Sequence, residues 1–178
     1  MNESKISVRY ARALFMSAKE QAIVDRVRDD MEYLLKLSSL DDVRELLESP
    51  VIANRVKRET LRLLVKGKIH ELTYNLVQLT ITNNRDSYLP GISRCFIDQA
   101  DRFNGITKTK LTTTVTIDKA LLERLRAMIE ENTGTKILFE QAIDPEITGG
   151  FLLKVEDKFI DASVRTQLRN IKKELTKD

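Results

Sequence analysis

The chain has 178 residues and carries 30 Lys and Arg against 27 Asp and Glu, a net charge of +3. That length suits one domain or two small ones. With 42% hydrophobic residues and no Trp, the core must be mostly aliphatic, and 6 Gly and 3 Pro are too few for a linker-rich or disordered chain. The charges are mixed along the sequence rather than gathered, which gives a polyanion-binding role little support. The single cysteine, Cys95, rules out an internal disulfide and a Cys-based metal site, and fits a reducing compartment. The start lacks an apolar stretch of signal-peptide length, and no segment approaches the ~20 apolar residues that span a bilayer. Any membrane role is therefore expected beside the bilayer, not in it.

The first hundred or so residues read as helices. Val8, Ala11, Phe15, Ala18 and Ala22 recur at spacings of three and four, the period of one helical face. Val24, Val27, Met31, Leu34, Leu35 and Ser38 repeat the pattern in a second helix. Leu40, Val43, Leu46 and Leu47 form a short third, ended by Ser49-Pro50, because proline pushes the residue before it out of the helical region. A fourth runs from about Asn54 to Lys66 and stops at Gly67. The fifth carries Leu72, Leu76 and Leu79. The sixth carries Leu89, Ile92, Phe96, Ala100 and Phe103, and ends at Asn104-Gly105.

Beyond Gly105 the period changes. Leu111, Thr113, Val115 and Ile117 alternate with polar residues, as in a half-buried strand. Asp118 is placed as a helix N-cap, with Ile117 and Leu122 positioned for a hydrophobic staple. Leu121, Leu122, Leu125, Met128 and Ile129 then form a helical face closed by Gly134. Ile137, Phe139 and Ile143 predict a second strand. Phe151 to Val155 and Phe159-Ile160 predict a hairpin turning about Glu156 to Lys158. Asp161 is expected to cap a last helix, with Val164, Leu168, Ile171 and Leu175 inward. The predicted class is α+β: an all-helical N-terminal domain of six helices (residues 1–105), then a small α/β domain (residues 106–178).

The inventory for chemistry is thin. His70 is the one histidine and reads as a surface or capping residue at the start of the fifth helix. Cys95 reads as a small buried hydrophobe. Gly149-Gly150 lacks the Lys-Ser/Thr of a phosphate loop and precedes a strand, so it reads as a turn needing positive φ or close backbone approach. No residue set nominates a reaction, a cofactor or a metal, and the expected class is not an enzyme.

Two helices carry more apolar surface than one core contact needs. Beside its first stripe, helix one has a second: Ile6, Tyr10, Ala13, Leu14 and Ser17. Helix five has Leu72, Leu76 and Leu79, and also Tyr74, Val77 and Ile81 on other sides. A helix apolar nearly all round is either central in its bundle or half-exposed to a partner. One reading is a groove for an amphipathic helix from another protein; the other is that both helices lie deep in the bundle. A separate reading, a nucleic-acid-binding module, would use the basic last helix with Lys108, Lys110 and Lys136.

Three segments carry a family likeness. RYARALF (Arg9 to Phe15) resembles the opening helix of the ATP synthase delta subunit and of its mitochondrial counterpart, the oligomycin-sensitivity-conferring protein. NLVQLTITNNRDSYLPGISRCF (Asn75 to Phe96) is similar to the family segment in which a helix ends in Asn-x-Arg and the next soon begins. DPEITGGFLLKVEDKFIDASVRTQLRNI (Asp144 to Ile171) has the Asp-Pro, the Gly-Gly, the hairpin and then Asp161-x-Ser163-Val164-Arg165 in the family's order.

The resemblance implies a non-catalytic stator subunit of an F-type ATP synthase, without cofactor or metal. It implies that helices one and five bind N-terminal helices of the alpha subunits, and that the C-terminal domain binds the end of the b subunit in the peripheral stalk. The residues expected at the alpha contact are Tyr10, Ala13, Leu14, Leu72, Leu76 and Leu79. Those expected at the b contact are Gly149, Gly150, Phe151, Leu153, Val155 and Leu168. No nucleic-acid partner is implied, and the membrane is met only through the complex. With no transit peptide recognised, the expected place is the cytoplasmic face of a bacterial inner membrane, as a peripheral component.

Overall fold

A computed structural model describes residues 4–114, 118–145, 147, 149–155 and 158–175. The chain divides into two compact units, Met1–Asp101 and Arg102–Asp178. It is helix-rich, with a small four-stranded sheet towards the C-terminus.

The first unit holds α1 (Lys5–Glu20), α2 (Val24–Leu37), α3 (Asp41–Glu48), α4 (Asn54–Val65), α5 (Glu71–Thr82), a 3-10 turn (Asp86–Tyr88) and α6 (Leu89–Phe103), whose Arg102 and Phe103 fall past the division. The 3-10 turn has no apolar period and escapes the sequence pattern. Ser4 starts α1 by accepting the Ile6 N–H at 3.3 Å. His70 starts α5: its Nδ1 accepts the Leu72 N–H at 3.2 Å.

The core is aliphatic, as the composition requires. Val27, Met31 and Leu34 of α2, Leu61 and Val65 of α4, Val77 and Ile81 of α5, and Leu89, Ile92 and Phe96 of α6 are all buried. Burying each such side chain contributes roughly 1.5–3 kcal/mol. Phe15 meets Phe96 with ring centroids 6.0 Å apart and tilted by 60°.

On α1 the inward residues are Ser7, Ala11, Leu14 and Ala18. This corrects the predicted face, because Val8 is 44% exposed. The core takes Ala11 and Ala18 from the first stripe and Leu14 from the second, adds Ser7, and has Phe15 packed partly buried against it. Leu14, expected on the outer stripe, is only 4% exposed and belongs to the core.

Charged groups inside this unit are paired. The Asp30 carboxylate accepts from the Thr73 hydroxyl at 2.8 Å and from the His70 N–H at 2.7 Å, joining α2 to the start of α5. Arg28 Nε donates to Asp101 Oδ1 at 2.7 Å, joining α2 to α6. Lys57 of α4 pairs with Asp86 of the 3-10 turn, both buried, and its Nζ also donates to the Leu47 carbonyl at 3.2 Å.

The second unit holds β1 (Ile106–Thr113), α7 (Lys119–Thr133), β2 (Lys136–Ile143), β3 (Phe151–Val155), β4 (Lys158–Asp161) and α8 (Val164–Leu175). The strand order is β2-β1-β3-β4. β1 and β2 are parallel, joined by the α7 crossover, and the other pairs are antiparallel. Leu111 stands opposite Gln141 on one side and Leu153 on the other. Leu111, Ile129, Ile137 and Leu153 form the small core, with Leu122, Leu125, Phe139 and Phe151 packed against it. On β1 the alternate residues Lys108 and Lys110 are exposed.

β1 begins five residues earlier than its apolar period, because Thr107 and Thr109 occupy inward positions that apolar residues usually fill. Val115 and Ile117, including the expected staple, lie outside the described residues, as do Glu156 and Asp157 of the hairpin turn. Asp118 is the N-cap of α7 by position but makes no side-chain cap bond. The last helix differs from expectation in two ways. Leu168 is 62% exposed rather than inward, and the side chains of Ile171 and Leu175 are outside the described set. The cap itself is Ser163, whose Oγ accepts the Thr166 N–H at 3.3 Å. Asp161 braces it, accepting the Ser163 N–H at 2.9 Å and the Thr166 hydroxyl at 2.7 Å.

Replacing Asp86 with Asn leaves the Lys57 ammonium buried without its countercharge, which costs about 3–5 kcal/mol. Urea titration should show the midpoint fall, and the paired change Lys57→Met with Asp86→Leu should recover most of the loss. The Asp161 carboxyl sits below its ordinary value of 3.8 because the Ser163 hydroxyl, the Ser163 N–H and the Thr166 hydroxyl favour the ionised form, with help from the Arg169 charge. A lowered folded value means that its stabilisation is complete above the unfolded value and is lost as pH falls through the folded one. Thermal melts from pH 6 downward to about pH 2 should therefore show a steeper loss for the native chain than for Asp161→Asn.

A candidate helix-docking groove

α1 and α5 lie side by side and leave a groove of about 420 Å³ between them. Ile6, Arg9, Tyr10 and Ala13 of α1 line one wall. Leu76 and Leu79 of α5, with Arg85 just beyond it, line the other. Positions 6, 10 and 13 follow the helical spacing of four and three, so one flank of α1 faces the groove. Leu76 forms the floor at 7% exposed, and Leu79 stands on the rim at 50%. The Tyr10 hydroxyl accepts the Asn83 amide N–H at 3.0 Å, which fixes the ring across the two helices. Ala13 is exposed and lacks bulk, so an incoming backbone can approach closely.

Four of the six residues expected at this contact thus meet around one space: Tyr10, Ala13, Leu76 and Leu79. Leu14 does not, because it points into the core. Leu72 does not line it either; it packs half-buried against the bundle interior. The expectation left out Ile6, Arg9 and Arg85. Arg9 lies four residues before Ala13 on the same flank, a signal already in the spacing. Arg85 is brought in only by the left-handed turn at Asn84, φ +54°.

The second expected set divides differently. Leu153 is enclosed in the small core and Phe151 is half-buried against it. Both are held by the sheet, so Leu153 offers a partner no surface. The side chain of Val155 lies outside the described residues. Gly150 has φ +82°, and a Cβ there would stand 2.3 Å from the Ala162 carbonyl oxygen and 2.9 Å from Ser163 Cα. Only glycine lets these two segments pass so closely. Two backbone bonds seal the crossing: Ala162 N–H to Phe151 O and Val164 N–H to Gly149 O, both at 3.0 Å. The glycines therefore position α8. Leu168 is the member of this set with free apolar surface, and Val164, one turn earlier, adds to it.

The remaining chemistry is occupied in structural work. His70 caps α5, and Cys95 is buried in the helical core. Among the described residues no group of three or more His, Cys, Asp or Glu is placed to hold a metal ion. No helix among them is long and apolar enough to cross a membrane.

Comparison with known proteins gives the family and the fold. The family model for the ATP synthase delta (OSCP) subunit matches residues 6–175. The ATP synthase subunit delta of Parabacteroides distasonis is 33% identical over 173 residues, 97% of this chain and 96% of that protein. The subunit of the same name from Geobacter metallireducens is 31% identical over 179 residues, 99% of each chain. Among solved structures, a chain of the Toxoplasma gondii mitochondrial ATP synthase hexamer superposes with a TM-score of 0.78 at 24% identity, covering 97% of this chain and 98% of that one, which shows the same fold. With its opening helix, its Gly-Gly crossing and nearly its whole length matched, the chain belongs to the ATP synthase delta (OSCP) subunit family.

Proposed function

We propose that this chain works as a mechanical connector, binding an N-terminal helix of an alpha subunit of the catalytic head in the α1–α5 groove and the C-terminal end of a b subunit through its second unit. As a member of its family it is a non-catalytic stator subunit of an F-type ATP synthase, a peripheral part of that complex. On this reading the first unit, taken as a six-helix bundle, serves the head, and the unit after residue 105 serves the peripheral stalk. The complex stands at the cytoplasmic face of a bacterial inner membrane.

The observation that carries the head contact is the pairing of a buried floor, Leu76, with a half-exposed rim, Leu79, beside the low surface of Ala13. An apolar helix face seated there removes both from water. For the stalk contact, the exposed Leu168 and Val164 of α8 are the favoured surface.

Rotation of a central shaft drags the head with it unless something resists. A chain that holds head and stalk together resists best when both contacts dissociate slowly, and affinity differences reside mostly in the off-rate. Joining two contacts in one chain raises the effective concentration of each for the other, so neither must be extreme alone. The nucleic-acid reading finds no support: Lys110 stands opposite Glu140 in the β1–β2 register, and Lys108 opposite Leu138.

Leu76 is a poor probe of this groove, since a charge at a buried position unfolds the bundle. Leu79→Asp is the direct test. Calorimetric titration with an alpha N-terminal peptide should show affinity lower by about tenfold or more, while the denaturation curve stays within about 0.5 kcal/mol of the native chain. Unchanged affinity in a folded variant removes the groove from the head contact.

A further inference from the structure

The sheet of the second unit has two margins: β4, with 4 residues, and β2, with 8. A short edge invites little pairing, whereas a long one offers a row of backbone groups to any extended chain. The Lys136 N–H donates to the Gly105 carbonyl and the Asp144 N–H to the Thr113 carbonyl, both at 2.8 Å. The even-numbered residues of β2 therefore face β1, and the backbone groups of Ile137, Phe139, Gln141 and Ile143 face the open side. No described strand pairs there. The strand reads Lys-Ile-Leu-Phe-Glu-Gln-Ala-Ile, without Pro, Gly or net charge. That is the composition of a segment prone to associate. Leu138 is 49% exposed on it.

One donor on this edge is already taken. The Ile137 N–H donates to Glu130 Oε1 at 2.7 Å. Glu130 lies in the last turn of α7, where the helix dipole disfavours a carboxylate. Its charge therefore brings α7 no benefit, and its effect falls on β2. A hydrogen bond to an ionised acceptor is about twice as strong as a neutral one. While it holds, Ile137 has no N–H to give to another strand.

We propose that the open edge of β2 is a strand-pairing surface matched to a second copy of this chain, and that the Glu130 carboxylate is the guard that keeps it closed. Two copies meeting antiparallel about Leu138 match at every position of the contact. Leu138 faces Leu138 of the second copy, at the close spacing of a pair without hydrogen bonds. Ile137 faces Phe139 of the second copy, and because both turn their backbone groups to the edge, they exchange two hydrogen bonds. Lys136 faces Glu140 of the second copy, and the symmetry makes that ion pair twice. A slip centred on Glu140 sets like charges face to face, and one centred on Phe139 gives up both ion pairs. An unrelated extended peptide lacks this self-complementary pattern. Glu130 blocks the pairing at Ile137, one of the residues that must exchange hydrogen bonds. None of these residues lines the α1–α5 groove, so this proposal and the head contact stand or fall separately.

The test is sedimentation equilibrium of the full chain. Glu130→Ala should dimerise with a dissociation constant about tenfold or more below that of the native chain. Glu130→Gln should behave as the native chain does, because its amide oxygen accepts the same N–H. Adding Lys136→Glu to Glu130→Ala sets carboxylates against each other and should return the monomer; adding Glu140→Lys to that pair should restore the dimer. In the Glu130→Ala dimer the Phe139 amide should exchange its hydrogen about tenfold or more slowly than in the native chain. The proposal is overturned if Glu130→Ala stays as monomeric as the native chain, or if Glu130→Gln dimerises equally well. A dimer indifferent to Lys136→Glu, or one that leaves Phe139 exchange unchanged, pairs elsewhere and overturns it too. Should Glu130→Ala lose the native circular dichroism, Glu130→Asp, one methylene short of the Ile137 N–H, takes its place under the same outcomes.

Discussion

The close approach of α1 to the rest of the helical unit governs what the remaining surface is free to do. Ser7, Ala11 and Ala18 are small, and with Leu14 they let α1 settle onto the bundle over a narrow sector. A helix seated on so slim a face keeps most of its circumference outside. Ile6, Tyr10 and Ala13 are thereby left for the groove with α5, and Val8 and Met16 stay exposed. Phe15 packs partly buried against this core, whereas Val8 stays half-exposed on the outer side. The groove therefore follows from an economy of volume inside the bundle, as tight packing of small residues implies.

Polar links then fix the geometry that packing alone would leave adjustable. Asp30 ties α2 to the start of α5, and so sets where the groove's second wall begins. Lys57 and Asp86 hold α4 to the turn leading into α6. Buried charge pairs of this kind add little net stability compared with apolar replacements, but breaking one side is severe. Their effect here is to specify which segments meet. In the second unit the same task falls to backbone: the Gly149–Gly150 crossing fixes where α8 leaves the sheet.

Much of this was legible in the sequence because apolar period and breaker residues carry local structure directly. The helices of the first unit, the change of period after Gly105 and the β3–β4 hairpin all follow from such signals. Helix phase was less legible. On α1, Ala11, Phe15 and Ala18 of the expected face do meet the core, but the face is rotated slightly so that Ser7 and Leu14 are buried and Val8 is not. Only the available volume sets that rotation, and that is a property of the whole bundle. Long-range polar pairs such as Lys57 with Asp86 leave no mark in local spacing. Thr107 and Thr109 hid the start of β1 because threonine is read as polar although it packs well inside a sheet. Of the residues that line the groove, Tyr10, Ala13, Leu76 and Leu79 were in the expected set, Ile6 and Arg9 were left out although α1 spacing carries them, and Arg85 depends on a turn.

The helical unit is complete by Asp101, whereas the sheet must join residues as distant as Leu111 and Leu153. Structures rich in local contacts form faster than those that wait for distant strands to pair. Synthesis proceeds from the N-terminus, and domains fold as units in that order. A growing chain that has emerged as far as Phe103 therefore already carries the α1–α5 groove, and the surface proposed for the head is formed while the second unit is still being translated.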